Sequence, residues 1–244
     1  MIIDVHAHAD FLSEEKLVEI QKDKKIRLVI SNSVNLNSCK KNLEFSRKYS
    51  KIRLAAGLYP EEDLTLTEYS KFEKFVRKNK KEIIAIGEIG IDKIEKLNFE
   101  LQKEIFINQL NLAKELNLPV IVHSRKAEKE ALDILEDYKD NLKIILHCFS
   151  GNFNLIKRAV ELGFSFSIPA NIMRSEHFQK MAGEIPHERI LTETDSPLLS
   201  PYKEMKNEPS FIKESIKKFS EIWNISEDKV EKIIEENFNK IFKF

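Results

Sequence analysis

The sequence is poor in cysteine, lacks long apolar runs and has no excess of charge of either sign. Cys39 and Cys148 are its two cysteines among 244 residues, and neither belongs to a CxxC pair. A disulfide framework and a cysteine zinc site are therefore excluded, and two small buried thiols are expected. Lys plus Arg and Asp plus Glu number 40 each. Without an overall positive field, any phosphate-binding surface must be local.

Membrane insertion and export also lack their usual signals. No apolar run approaches the roughly 20 residues that span a bilayer. The short apolar segment at the N-terminus is followed at once by Asp4, His6, His8 and Asp10, without a basic start or a small-residue cleavage site. We therefore expect a cytoplasmic protein with no membrane anchor.

Eight short β-rich segments alternate with amphipathic stretches along the chain. The predicted strands are 2–6, 26–31, 52–57, 83–87, 120–124, 143–147, 165–168 and 190–194. Helices are predicted at 38–50, 66–79, 99–116 and 126–138. Most of the strands are continuous apolar runs, which is typical of a parallel sheet covered on both faces.

This alternation favours an α/β fold, a TIM-type (β/α)8 barrel formed by residues 1–244 as a single domain. An open doubly wound sheet is the alternative, but it needs a Gly-rich phosphate loop after an early strand, and the chain has none. After the eighth strand, 210–222 is the predicted last barrel helix. An extra C-terminal helix at 227–242, capped by Ser226, is expected to cover the barrel.

Six potential metal ligands lie at or near the carboxyl ends of five predicted strands, which converge on one mouth in a barrel. They are His6, His8, Glu88, His123, His147 and Asp195. By itself, a histidine pair of this kind is about as often structural as metal-binding. A lone carboxylate more often caps a turn than binds a metal. The combination favours a metal site, whereas His177 and His187 fall outside it.

Imidazole and carboxylate ligands with open coordination positions favour a catalytic site for Zn, Mn or Mg. Two ions about 3.5 to 4 Å apart are expected. The first is predicted at His6 and His8, and the second at His123 and His147. Glu88 is the predicted bridge between them.

Asp195 is predicted to bind the first ion and to take the proton of the attacking water. Glu88 and Asp195 are therefore the predicted catalytic residues. For Asp10 and Asp92 two interpretations stay open. Each either orients a ligating imidazole or caps a turn.

The chain resembles the TatD-type deoxyribonucleases, a branch of the amidohydrolase-like metal barrels. The segments that carry this resemblance are DVHAHAD at 4–10, GEIGID at 87–92, LPVIVHSRKA at 118–127, LHCFSG at 146–151, ETDSPLLSP at 193–201, NEP at 207–209 and the final ENFNKIF. The resemblance runs nearly end to end. It implies a TIM barrel, divalent metals at its mouth, metal-dependent cleavage of DNA, and ligand roles for the same six residues.

Two segments depart from the pattern of this family. After the third strand many members have Gly-x-His-Pro-His, where this chain has GLYPE at 57–61, and the loop at 201–206 is shorter and poorer in Gly and Arg. Tyr59 is predicted to hydrogen-bond to or stack on a base, whereas Glu61 would repel a phosphate. These differences bear on the choice of substrate.

Two arginines are predicted to bind substrate. Arg125 shares a strand face with His123, and its planar guanidinium matches phosphate oxygens. The alternative is an ion pair between Arg125 and Glu88 or Asp92. Arg174, in the loop after the seventh strand, is the second candidate.

The favoured function is hydrolysis of DNA, single-stranded or at ends, by metal-bound water. Hydrolysis of a small amide, ester or cyclic imide is the alternative. Many other metal barrels of this superfamily carry a carboxylated lysine after strand four, where this chain has Glu88. A third class, a metal-binding interaction module without turnover, is disfavoured because the ligand set is complete.

Overall fold

Eight parallel strands form one sheet in the computed structural model, which describes residues 1–61, 64–96 and 98–242. The strands are β1 Ile2–Ala7, β2 Ile26–Asn32, β3 Ile52–Ala56, β4 Ile83–Asp92, β5 Val120–Arg125, β6 Ile144–His147, β7 Ser165–Pro169 and β8 Ile190–Glu193. Each pairs with the next along the chain. All eight predicted strands are therefore confirmed, with small shifts at their ends except in β4, which is longer.

The two outer strands of the sheet, β1 and β8, lie side by side. Thr194 donates to the buried Asp4 carboxyl from its backbone N–H at 3.0 Å and from its hydroxyl at 2.5 Å. Burial raises the pKa of Asp4 to about 7, although the Thr194 hydrogen bonds oppose the shift. These contacts draw the sheet into a nearly closed barrel, and the predicted (β/α)8 fold is confirmed.

The strand β4 is longer than the sequence indicates, because it continues to Asp92 instead of ending at Gly87. Its second half stays paired with β5, with Gly90 opposite His123 and Asp92 opposite Arg125. Glu88 therefore lies inside the strand, not after it. Gly87 and Gly90 interrupt the apolar run, so the run did not predict the second half of the strand.

Nine α-helices are present among the described residues. They are α1 Glu14–Lys22, α2 Leu36–Lys48, α3 Leu66–Asn79, α4 Phe99–Leu116, α5 Glu128–Leu135, α6 Phe153–Glu161, α7 Glu176–Glu184, α8 Ile212–Trp223 and α9 Glu227–Ile241. Most begin at a side chain that accepts a hydrogen bond from the first turn, such as Asn35 before α2 and Ser226 before α9. The Asn35 cap explains why α2 begins two residues before the predicted start. None of the described helices is both long and apolar enough to cross a bilayer.

Two groups of buried apolar side chains hold the barrel together. The larger group lies between strands and helices, where Phe72, Phe106 and Phe219 are fully buried. The smaller group joins alternate residues of seven strands to Phe238 and Phe242 at the end of α9. The C-terminal helix therefore packs on the barrel interior, as predicted for a cover, and leaves the opposite mouth open.

Candidate metal centre

The six predicted ligands meet at the carboxyl ends of the strands. Five of them line a cavity of about 530 Å³ there, and they are His8, Glu88, His123, His147 and Asp195. His6 lies beneath, fully buried, with its ring stacked on that of His147 at 3.6 Å between centroids. The convergence expected from strand order is therefore present in the folded chain.

His6, in β1, and His8, just after it, both direct Nε2 towards the carboxylates of the site. His8 Nδ1 lies 3.0 Å from the Asn32 carbonyl, which leaves Nε2 facing Asp195 Oδ1 at 3.2 Å. Both ring nitrogens of His6 are buried without a hydrogen-bond partner among the described residues. Because an unpaired buried polar atom is costly, the His6 ring indicates a ligand that the protein itself does not supply.

The Glu88 carboxylate lies between two pairs of histidines. Its Oε2 is 3.4 Å from His6 Nε2 and 3.7 Å from His8 Nε2. Its Oε1 is 2.9 Å from His123 Nδ1 and 3.8 Å from His147 Nε2. Each carboxylate oxygen thus faces one pair, which is the arrangement that a bridging carboxylate requires.

Close backbone packing fixes the segment that carries Glu88. Gly90 adopts φ +153°, and a Cβ on it would lie 1.9 Å from the His123 carbonyl oxygen. A Cβ on Gly57 would lie 2.4 Å from the Glu88 carbonyl oxygen. Only glycine allows β3 and β5 to approach β4 this closely.

His147 is oriented by an acidic residue that the sequence analysis missed. Its Nδ1 lies 2.8 Å from Glu193 Oε2, and Ser167 also donates to that oxygen. A carboxylate partner on Nδ1 holds the ring so that Nε2 faces the cavity. The available signal was a glutamate inside the short strand β8, since a buried carboxylate needs a partner.

Asp92 collects three donors on one oxygen. Its Oδ2 lies 2.8 Å from His123 Nε2, 2.9 Å from the Tyr59 hydroxyl and 2.7 Å from Arg125 Nε. Arg125 also pairs with Glu95 at 2.9 Å. Asp92 therefore orients a candidate ligand, and Arg125 forms one of the ion pairs considered as its alternative role.

Charge in the site follows from these contacts. Burial would raise the pKa of Asp195 and Glu88, but the surrounding imidazoles outweigh it and hold both below their usual range, Glu88 well below. Burial would lower the pKa of His123, but Asp92 and Glu88 raise it to about 9. Both carboxyls are therefore anionic at neutral pH, as cation ligands must be.

The donor atoms fit a divalent metal. His6, Glu88 and His147 offer one group of atoms within 4.8 Å of one another, and His6, His8 and Asp195 offer a second. Mixed imidazole and carboxylate donors suit Zn or Mn, with Mg as a harder alternative. His123 belongs to neither group, and its two nitrogens face the carboxylates of Glu88 and Asp92.

Other residues singled out from the sequence lie at or outside the site's edge. Tyr59 lines the cavity, whereas Arg174 donates to the Ser200 carbonyl at 2.8 Å and is not among the cavity-lining residues. The Asp10 carboxylate accepts from Ser38 at 2.7 Å and from Asn42 at 3.3 Å. It therefore ties the first loop to α2.

The two cysteines differ in burial, and the two histidines predicted to lie outside the metal site pack against aromatic rings. Cys39 is a buried free thiol whose pKa burial raises to about 12, whereas Cys148 is half-buried and lines the cavity. His187 stacks on Trp223 at 4.1 Å between ring centroids, and His177 packs against Phe153 at 5.6 Å.

An eight-stranded barrel with buried imidazole and carboxylate donors at the open mouth has the construction of a metal-dependent hydrolase. Comparison with known sequences agrees with this class. The chain belongs to the TatD related DNase family, whose sequence model matches residues 3–243.

Relatives of this chain carry names of the same kind. An uncharacterized metal-dependent hydrolase of Methanocaldococcus jannaschii is 35% identical over 248 residues, which cover 99% of this chain and 96% of that protein. The human deoxyribonuclease TATDN3 is 31% identical over 259 residues, covering 99% and 94%. The crystal structure of YjjV, a TatD homolog of Escherichia coli, superposes with a TM-score of 0.90 at 23% identity, covering 99% and 97%, and supports the fold.

Proposed function

We propose that this chain hydrolyses phosphodiester bonds of DNA, in single strands or at ends, with two divalent ions bound at the barrel mouth. Residues 1–244 act as one catalytic domain in this proposal. The observation that carries it is the Glu88 carboxylate, with one oxygen towards His6 and His8 and the other towards His123 and His147. The deoxyribonuclease name of the human relative supports DNA as the substrate class.

Each side of Glu88 has residues to hold one ion. His6, His8 and Asp195 would hold the first, and His147 and His123 the second, which requires His123 to give up one of its carboxylate contacts. Zn, Mn or Mg bound there would supply Lewis-acid activation of the phosphodiester and of the attacking water.

The protein's own groups control protons and orientation. Asp195 is held anionic, and it lines the cavity where it can accept the proton that the attacking water loses. The Asn32 carbonyl and Glu193 each accept from an Nδ1–H, which keeps the Nε2 lone pairs of His8 and His147 directed into the site.

Arg125 and Tyr59 are proposed to contact the substrate from the β4 and β5 side. The Arg125 side chain is 46% exposed, and its pairing with Glu95 is a surface ion pair worth about 0 to 1 kcal/mol. A phosphate can therefore compete with Glu95 for the Nη2 end of the guanidinium at low cost, while Nε stays on Asp92. Arg174 is proposed to meet a longer strand beyond the cavity.

The direct test is metal-stripped protein refilled separately with Mg, Mn or Zn and assayed on labelled single-stranded DNA, on RNA and on small esters. Cleavage of DNA that depends on the added metal is expected. The Asp195→Asn variant, purified in parallel, controls for a contaminating nuclease. Turnover of esters without DNA cleavage would contradict the proposal and favour the amidohydrolase alternative.

A further inference from the structure

Two large apolar side chains stand exposed at the rim of the metal cavity. Phe11 is 53% exposed and Leu198 is 55% exposed, and both line the cavity wall. Single exposed apolar residues are ordinary on protein surfaces. Two in the wall of one cavity, next to catalytic carboxylates, call for a partner with an apolar face.

Both side chains are held in fixed relation to the candidate ligands. Phe11 lies three residues after His8, and its N–H donates to the His8 carbonyl at 3.0 Å. Leu198 lies three residues after Asp195 in the same way, with an N–H to carbonyl distance of 2.8 Å. His8 N–H in turn donates to the Ser196 carbonyl at 2.8 Å, which joins the two turns.

The Phe11 ring is positioned as a stacking surface. It stacks on the His8 ring with centroids 5.2 Å apart and planes 23° apart. Because the His8 ring is itself held at Nδ1 by the Asn32 carbonyl, the phenyl ring has a firm support. Its exposed part faces the cavity, where a flat aromatic group can stack on it.

The charges around the cavity give phosphate little attraction. Apart from histidines, Arg125 is the one cationic side chain among the described residues that line it, and it pairs with Asp92 and Glu95. Glu88 and Asp195 add negative charge to the same wall. Apart from the phosphate that bound cations would hold, the cavity therefore offers the backbone of a nucleic acid little attraction.

We propose that Phe11 and Leu198 form a nucleobase subsite, in which one unstacked base of the substrate stacks on the Phe11 ring and packs against Leu198. This inference rests on the proposed function and deepens it. A base inside a duplex is stacked on both faces and is not available to Phe11, so the subsite selects single strands and frayed ends. It also places the sugar–phosphate next to the base within reach of Asp195.

The test compares a hexamer of thymidylate with a hexamer of the same length in which every position is abasic. Phe11→Ala is expected to lower kcat/KM for the thymidylate hexamer by about tenfold, the effect of losing one stacked base. The loss on the abasic hexamer should be much smaller. Phe11→Trp should keep the preference for the base, and Ile107→Ala, which removes an exposed apolar side chain on α4, is the matched control.

Equal losses on both hexamers in Phe11→Ala would overturn the subsite, because the ring would then act only as a support for His8. Failure of Phe11→Trp to keep the preference would do the same. If wild-type protein cleaves neither hexamer, the proposed function fails, and binding of the labelled hexamers, followed by fluorescence anisotropy, still decides the subsite. Tighter binding of the thymidylate hexamer, lost in Phe11→Ala, supports it, and equal binding of the two hexamers overturns it.

Discussion

The two sides of the barrel mouth are built differently. On the β1 and β8 side, His6 has no hydrogen-bond partner among the described residues, and His8 keeps Nε2 directed towards Asp195. On the β4 and β5 side, both nitrogens of His123 face carboxylates, and Asp92 also accepts from Tyr59. On the first side, the open side, the imidazole Nε2 atoms lie 3.2 to 3.7 Å from carboxylate oxygens. On the second side, the satisfied side, His123 lies within 2.9 Å of two carboxylates.

This difference predicts an order of metal binding. A cation at His6, His8 and Asp195 would come between imidazoles and carboxylates that are still 3.2 to 3.7 Å apart. A cation at His123 must first displace a close contact, of 2.9 Å to Glu88 or of 2.8 Å to Asp92. We therefore expect the first ion to bind more tightly than the second.

The largest effect is expected from Asp195→Asn, which removes the anionic proton acceptor from the open side. Hydrolysis of single-stranded DNA should fall by about 10² to 10⁴-fold, the usual contribution of a positioned general base. Thermal unfolding, followed by circular dichroism, should stay close to wild type. Near-normal turnover at any metal concentration would refute the role of Asp195.

His123→Ala tests the difference between the two sides by removing the imidazole of the satisfied side. Turnover should be abolished at limiting metal because the second ion loses a ligand, whereas the first ion should still bind. Raising the Mn²⁺ concentration should recover part of the activity in His123→Ala but none in Asp195→Asn. Equal recovery in the two variants would mean that the two sides are not distinct.

The positions of the candidate ligands were predictable, whereas their orientation was not. His6, His123 and His147 belong to strands that apolar runs reveal, and His8 directly follows the first of these strands. Parallel strand ends must converge in a barrel. Glu193 escaped notice because its role depends on lying across the sheet from His147, a contact that links residues 46 positions apart. A local sequence pattern does not show which residues of different strands face each other across the sheet.

The end of the strand β4 is a second feature that the local sequence pattern did not predict. Glu88 was expected after the strand, but pairing of residues 89–92 with β5 continues the strand beyond it. Tyr59 was noticed as a departure from the family pattern. The contact of its hydroxyl with Asp92 depends on β3 lying beside β4, which the local sequence does not show.

Asp92→Asn tests whether the satisfied side depends on one carboxylate. Loss of the charge that holds His123 and Arg125 should lower metal affinity or activity by about 10 to 100-fold, as for other residues that orient ligands. Titration of activity against Mn²⁺ measures the change. The reference variant is Asp10→Asn, whose carboxylate contacts Ser38 and Asn42 instead, and a loss of equal size there would contradict a specific role for Asp92.

The smallest effect is expected from Arg125→Ala. The half-exposed guanidinium is shared with Glu95, so KM for oligonucleotides should rise only severalfold, with a shallower dependence of binding on salt. Steady-state kinetics at several salt concentrations measure both quantities. A salt dependence that stays unchanged would remove Arg125 from the phosphate contacts.

The number of ions that the chain binds tests the account most directly. Calorimetric titration of metal-stripped protein with Mn²⁺ should show two ions per chain in wild type, in a tighter and a weaker step. The weaker step should be lost in His123→Ala, and the tighter step should remain. Binding of a single ion by the wild-type chain, or loss of both steps in His123→Ala, would contradict a site divided by Glu88.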